Sequence, residues 1–279
     1  MTFSLLNALA VALSNVFAGV SGRKVPVALV LALASPTALA VSVVAIFVEP
    51  AGWSPVGIWL GFVAGIVGGI GLLAAYRAFA IGPVGMIAAI LASTATIVVA
   101  TAGFVAQGVG TWLTWLAIFA CLVAIALVTI DSRPAAIRLK ALVLAIAGGV
   151  GSGAFVVLMN FTSPADGWSP LVAVRVAVVA VAIVFLVVSW TRVRVIARQT
   201  NGGWWWVFAV GAGLMDSLGN VFLILALRFL DLTTIAIVAA IIPAVTAVIG
   251  WALLREKLRL AQVVGIALAA GAVALHALA

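Results

Sequence analysis

Apolar residues in this chain come in long blocks separated by short polar or turn-forming segments. The blocks run roughly over 3–21, 27–48, 56–80, 84–105, 111–130, 137–160, 168–190, 203–228, 232–252 and 260–278. A helix of about 20 apolar residues spans the ~30 Å hydrocarbon core of a bilayer. Only helices and closed barrels keep every backbone group bonded there. The pattern therefore predicts an all-α integral membrane protein with ten transmembrane helices. Its separators carry charge or turn chemistry: Gly22-Arg23-Lys24, Glu49-Pro50 through Pro55, Gly82-Pro83, Asp131 through Pro134, Ser163 through Gly167, and Arg192 through Gly203. They are all too short to hold a soluble domain.

Composition agrees. The 279 residues are 67% hydrophobic and only 7% charged, with a mean hydropathy of +1.43, whereas a soluble domain carries about 25% charge. The net charge of +8 does not point to nucleic acid, because the cations sit in the separators between spans. One cysteine, Cys121, inside an apolar block, excludes an internal disulfide and a multi-cysteine metal site. The single histidine, His276, stands at the C-terminal end. No cofactor or metal is expected. The first block lacks a basic start and a small-residue cleavage site, so it reads as a retained span.

The chain also repeats. Arg228-Phe229-Leu230 matches Ala78-Phe79-Ala80, Val238 through Ile241 matches Ala88 through Leu91, and Pro243 falls on Ser93. Five helices per copy is an odd number, so the second copy enters the membrane upside down. The loops carry the opposite charge bias this requires. Loop 1 holds Arg23 and Lys24 while loop 6 holds only Asp166; loop 2 holds only Glu49 while loop 7 holds Arg192, Arg194 and Arg198. Loop 4 is uncharged while loop 9 holds Arg255, Lys257 and Arg259. The expected fold is two inverted five-helix repeats, residues 1–135 and 136–279. By the positive-inside rule the odd, basic loops are cytoplasmic and both termini face outward.

Within the spans, Gly57, Gly61, Gly65 and Gly69 line one face of the third, a pattern that lets helix backbones approach closely. It reads as a packing seam, with a sliding surface as the alternative. Gly148, Gly149, Gly151 and Gly153 repeat the idea in the sixth span. Trp53, Trp59, Trp112, Trp115, Trp168 and Trp204 through Trp206 lie near span ends, where indole rings anchor at the headgroup level.

The residues now quoted, together with Ser14 through Phe17, Tyr76 through Pro83, Asn220 through Arg228 and Arg255 through Leu258, make the chain resemble the drug/metabolite transporter superfamily, in its ten-helix EamA-type branch. The resemblance covers essentially the whole chain. It implies a central cavity with alternating access, a small organic solute as partner, and both termini in the cytoplasm, opposite to the charge reading. The pattern departs at Lys257, where an arginine is usual, and at the uncharged first-half counterpart Ala106-Gln107-Gly108.

Charges buried in a span are costly and usually face a cavity or a partner. Asp216 lies near the middle of the eighth span with Asn220 one turn on, and Arg175 lies a few residues into the seventh. The antiparallel run of these spans brings the two charges to similar depth. Candidate solute-binding residues are Asp216, Asn220, Arg175, Tyr76, Asn15, Asn160 and Thr94, with Pro243 as a gating kink. A purely structural ion pair and ordinary hydrogen bonding between helices are the competing readings. A stripe at Asn7, Ser14 and Ser21 carries the same ambiguity.

The expected function is a secondary transporter in the bacterial cytoplasmic membrane, exporting amino acids or related metabolites. A flippase or carrier for a lipid-linked or sugar-type substrate is the alternative. No GxxxxGK[ST] sequence occurs, so ATP is not the evident energy source. Proton coupling through Asp216 and facilitated diffusion both fit. A membrane enzyme would need a nucleophile and base near the membrane surface, and no such set is present in the sequence. The oligomeric state is not encoded in any pattern found.

Overall fold

The computed structural model describes residues 1–48, 53–82, 84–108, 112–129, 139–199, 203–254 and 260–277. These residues form helices and no strand. In chain order the helices are α1 (Thr2–Gly22), α2 (Val27–Val48), α3 (Pro55–Ile81), α4 (Val84–Gln107), α5 (Trp112–Thr129), α6 (Leu139–Asn160), α7 (Ser169–Val188), α8 (Trp190–Gln199), α9 (Trp205–Leu227), α10 (Leu232–Ala239), α11 (Ile242–Leu254) and α12 (Leu260–Ala277). Six described helices are long and apolar enough to cross a membrane, and four apolar stretches are shorter: Ile90–Ala106, Trp115–Leu127, Leu232–Thr246 and Leu260–Ala272. The protein is a multi-pass integral membrane protein. The expected turns at 131–138 and 255–259, and the boundary between the two halves, lie outside the described residues.

One expected span is interrupted, and one expected loop is helical. The seventh span ends at Val188, within two residues of its expected limit, and after Ser189 a separate basic helix, α8, begins where a loop was expected. The ninth breaks at Ala240 and Ile241. Pro243 was expected to kink a continuous helix; instead it occupies the first turn of α11, where a missing N–H costs nothing. Both breaks have a chemical cause: polarity rises sharply after Val188, and proline cannot donate to the carbonyl four residues earlier.

Side chains terminate several helices. Ser54 accepts from the Gly57 N–H at 3.2 Å to cap α3. Asp231 accepts from the Thr234 N–H at 2.7 Å to cap α10. Between α6 and α7, Asp166 accepts from the Ser163 N–H at 2.8 Å and is buried against α3.

The glycine face of α3 is a packing seam against α7 and the segment leading into it. Gly57 lies on Asp166, Gly61 on the Pro170 carbonyl, Gly65 on Val174 and Ala177, and Gly69 on Val178. A second seam joins α3 to α6, where Gly71 meets Gly151 and Gly148 meets Ala75. Buried apolar clusters gather toward opposite ends of the molecule. One surrounds Leu31, Tyr76, Phe79 and Ile87; the other surrounds Phe155, Met159, Trp168 and Leu171.

The seam makes an unequal demand on its glycines. A Cβ on Gly61 would fall on the Pro170 backbone, with its carbonyl carbon at 2.8 Å, whereas one on Gly69 would meet Val178 at an ordinary 3.5 Å. Gly61→Ala should lower stability by about 1–3 kcal/mol, the usual cost of overpacking, and Gly69→Ala should be nearly neutral. Thermal melting of the two purified variants in one detergent checks the contrast; equal shifts would contradict the seam geometry.

Candidate functional site

A cavity of about 180 Å³ lies between the two apolar clusters, lined from α1, α3, α4, α6, α7, α9, α10 and α11. Its walls are mostly apolar, with Leu72, Phe155, Val156 and Leu223 among them. Its polar groups are Asn7 and Asn15 from α1, Thr96 from α4, Ser152 from α6, Arg175 from α7, and Asp216 and Asn220 from α9. A largely apolar pocket with a few convergent polar groups is the usual form of a small-molecule site.

The helix that carries Asp216 is fixed by its neighbours. Asn7 Nδ2 donates to the Gly219 carbonyl at 2.8 Å, Ser14 Oγ to Ala212 at 3.0 Å, and Ser21 Oγ to Trp205 at 3.0 Å. Donors every seventh residue on α1 thus meet acceptors every seventh residue on α9, running in opposite directions. The polar stripe seen in the sequence is therefore a ladder between helices, although Asn7 also reaches the cavity. On the other side, Ser217 Oγ donates to the Ala38 carbonyl of α2 at 2.8 Å and lies 2.9 Å from Ser42 Oγ. Gly213 permits this approach, since a Cβ there would strike the Ala34 carbonyl.

Held in this way, Asp216 faces Arg175. Nη1 donates to Asp216 Oδ2 at 2.5 Å, and Nη2 to the Asp216 backbone carbonyl at 3.2 Å. The arginine side chain is 2% exposed and the carboxylate 20% exposed. This is the one ion pair among the described residues. Arg175 Nε is buried with no hydrogen-bond partner. The Nε–H of the guanidinium is therefore left uncommitted beside the cavity.

The remaining candidates are placed differently. Tyr76 is buried next to the cavity but does not line it; its hydroxyl approaches Ser14 without reaching hydrogen-bonding geometry. Thr94 turns away, donating to the Ile90 carbonyl at 2.7 Å and packing where Gly149 of α6 leaves room. Thr96 presents the α4 hydroxyl to the cavity instead. Asn160, the last residue of α6, lies outside the lining. Pro243 does not line it either, but Ala239 and Ile242, on either side of the α10–α11 break, do. Ser152 and the apolar walls escaped the sequence reading, which ranked residues by polarity. On α4 the lining residues Ala88, Ala92, Ala95, Thr96 and Val99 follow a helical spacing that separates Thr96 from Thr94.

Comparison with known proteins adds the following. The family model described as EamA-like transporter family matches residues 139–278. A solved crystal structure superposes with a TM-score of 0.76 at 16% identity, covering 99% of this chain and 96% of that chain, which establishes a shared fold. No curated protein sequence matches.

The buried pair makes a testable demand of its own. Removing one member leaves an uncompensated charge in the core, at a typical cost of 3–5 kcal/mol, about ten times thermal energy at most; an apolar pair of similar volume is often tolerated. Arg175→Met alone should therefore melt well below the double variant Arg175→Met/Asp216→Leu. Melting curves in which the double variant is the less stable would count against a tight pair.

Proposed function

Because the chain belongs to the EamA-like transporter family, we propose that it is a secondary transporter of a small organic solute, exporting amino acids or related metabolites across a bacterial cytoplasmic membrane. The solute occupies the central cavity, and access alternates between its two ends. Asp216, Arg175, Asn220 and Asn15 form the polar part of the binding site, with Tyr76 supporting it from one side and the α10–α11 break at Pro243 serving as a hinge. Thr94 and Asn160 take no direct part. The observation that carries this reading is a buried ion pair set in the wall of a largely apolar cavity between two apolar clusters.

We propose further that residues 1–135 and 136–279 are inverted five-helix repeats, ten membrane crossings in all, with α7–α8 and α10–α11 each counting as one. The packing of helix on helix supports this. Exchanging the halves turns the α1–α9 pair into α6–α3, the α2–α9 pair into α7–α3, and the α4–α6 pair into α1 against α10–α11. All of these pairs pack closely. The α5–α12 and α2–α7 pairs map onto themselves. Binding at the junction of such repeats, beside an interrupted helix, is the general arrangement in secondary transporters.

Transport by purified protein in proteoliposomes, scored beside thermal melting, tests the site. Asp216→Asn keeps shape and hydrogen-bonding capacity but not charge. It should reduce solute flux by at least about tenfold, the effect of losing ~1.4 kcal/mol of interaction. A variant that melts lower with unchanged flux per folded molecule would instead make the pair structural, and the site assignment would fall.

A further inference from the structure

We propose that α8, with Arg192, Arg194 and Arg198, binds the phosphate headgroups of anionic phospholipids in the leaflet where α7 ends. The transport reading does not use this helix, and the inference does not depend on that reading.

Position comes first. α7 has 20 residues, about 30 Å at 1.5 Å per residue, the thickness of the hydrocarbon core. Its last two turns expose Ile183, Val184, Val187 and Val188, as lipid contact requires. The helical bonding then almost continues, with the Ser189 N–H on the Phe185 carbonyl and the Val193 N–H on the Ser189 carbonyl, both at 3.0 Å. The ~40–45 Å of core plus headgroup layers leaves about 5–8 Å of headgroup layer on each side, about four or five residues of helix at 1.5 Å each. α8 therefore begins in the headgroup layer, and Trp190, half-exposed at its start, stands where interfacial indoles collect.

Pattern comes second. At about 100° per residue, positions 191, 192, 194, 195, 198 and 199 share one half of α8, and 190, 193, 196 and 197 share the other. The first set is Thr, Arg, Arg, Val, Arg and Gln, with Val195 the one apolar member and exposed; the second is Trp, Val, Ile and Ala. Val193 is buried and Arg194 exposed, which turns the Val193 side of α8 toward the protein and the Arg194 side away from it.

Charge comes third. Arg77, at the C-terminal end of α3, stacks over the Phe185 ring of α7 at 4.3 Å, so both helices end on the same side. Exposed Arg23 and Lys24 follow α1, whose last turn bonds the start of α9. The described carboxylates outside the cavity, Asp166 and Asp231, cap helices at the opposite end. Arg194 has no acidic partner among the described residues. A juxtamembrane arginine cluster with no acidic partner among the described residues is complementary to anionic lipid. The planar guanidinium donates two parallel hydrogen bonds to a phosphate, which an ammonium cannot.

The test titrates phosphatidylglycerol or phosphatidylcholine into the full-length protein in a neutral detergent, reading bound lipid by native mass spectrometry and stability by thermal melting. Phosphatidylglycerol should bind and raise the melting temperature, and phosphatidylcholine should not. Affinity should drop about fivefold per arginine removed, the equivalent of ~1 kcal/mol each, so the triple variant Arg192→Gln/Arg194→Gln/Arg198→Gln should bind roughly 100-fold more weakly. Arg255→Gln/Lys257→Gln/Arg259→Gln is the control and should retain most affinity. An unchanged triple variant overturns the proposal. So does an equal loss in the control, which would mean diffuse attraction to the leaflet, or competition by glycerol phosphate at the lipid's own concentration, which would mean a soluble phosphate site. If the triple variant is not recovered, Arg194→Gln alone decides, by a fivefold loss or none.

Discussion

Hydrocarbon offers no hydrogen bonds, and that constraint governs the structure from α9 outward. A helix that carries a carboxylate and several glycines into the membrane must find its polar partners within the chain. α9 finds them on three sides: the amide and hydroxyls of α1, a carbonyl and one hydroxyl of α2, and the guanidinium of α7. Each bond is modest, but together they set the rotation of α9 about its axis. Without the α1 ladder, Asp216 would have no reason to face the cavity.

The ion pair differs in kind from the ladder. α1 and α2 pack on α9 along much of its length, whereas α7 leans mainly on α3 and α2. Arg175 and Asp216 therefore link two helices that otherwise share little surface. A contact made by two side chains can be exchanged for contacts to a guest without dismantling a packed interface. The ladder and the glycine seams hold the scaffold, and the pair is the part free to change partners.

Much of this was legible in the residues, for reasons that differ from element to element. Long apolar blocks are unambiguous because water-facing helices cannot afford them, so most helix limits came within a few residues. The glycine row on α3 predicted its seam because small residues repeated on one face let two helix backbones approach closely. Arg175 and Asp216 stood out because charge is rare in a span. What failed was direction. Thr94 and Thr96 are equally polar, and only the rotation of α4, set by the fit of Gly149 against Thr94, decides which one sees the cavity. Asn160 ends its helix as expected but lies outside the cavity lining. The break at Ala240–Ile241 was read as a continuous span because apolar content hardly changes across it, and α8 was read as a loop because its cations look like a separator.

The break at Ala240–Ile241 has a consequence for how the cavity holds a guest. Pro243 has no N–H, so the Ala239 carbonyl four residues earlier lacks its ordinary helical donor, and Ala239 lies in the cavity wall. A main-chain oxygen there is an acceptor that never titrates and that no side-chain substitution can delete. To an ammonium or hydroxyl group it offers a foothold fixed by the path of the chain. The wall thus combines contacts that a substitution can remove with one that the backbone alone decides.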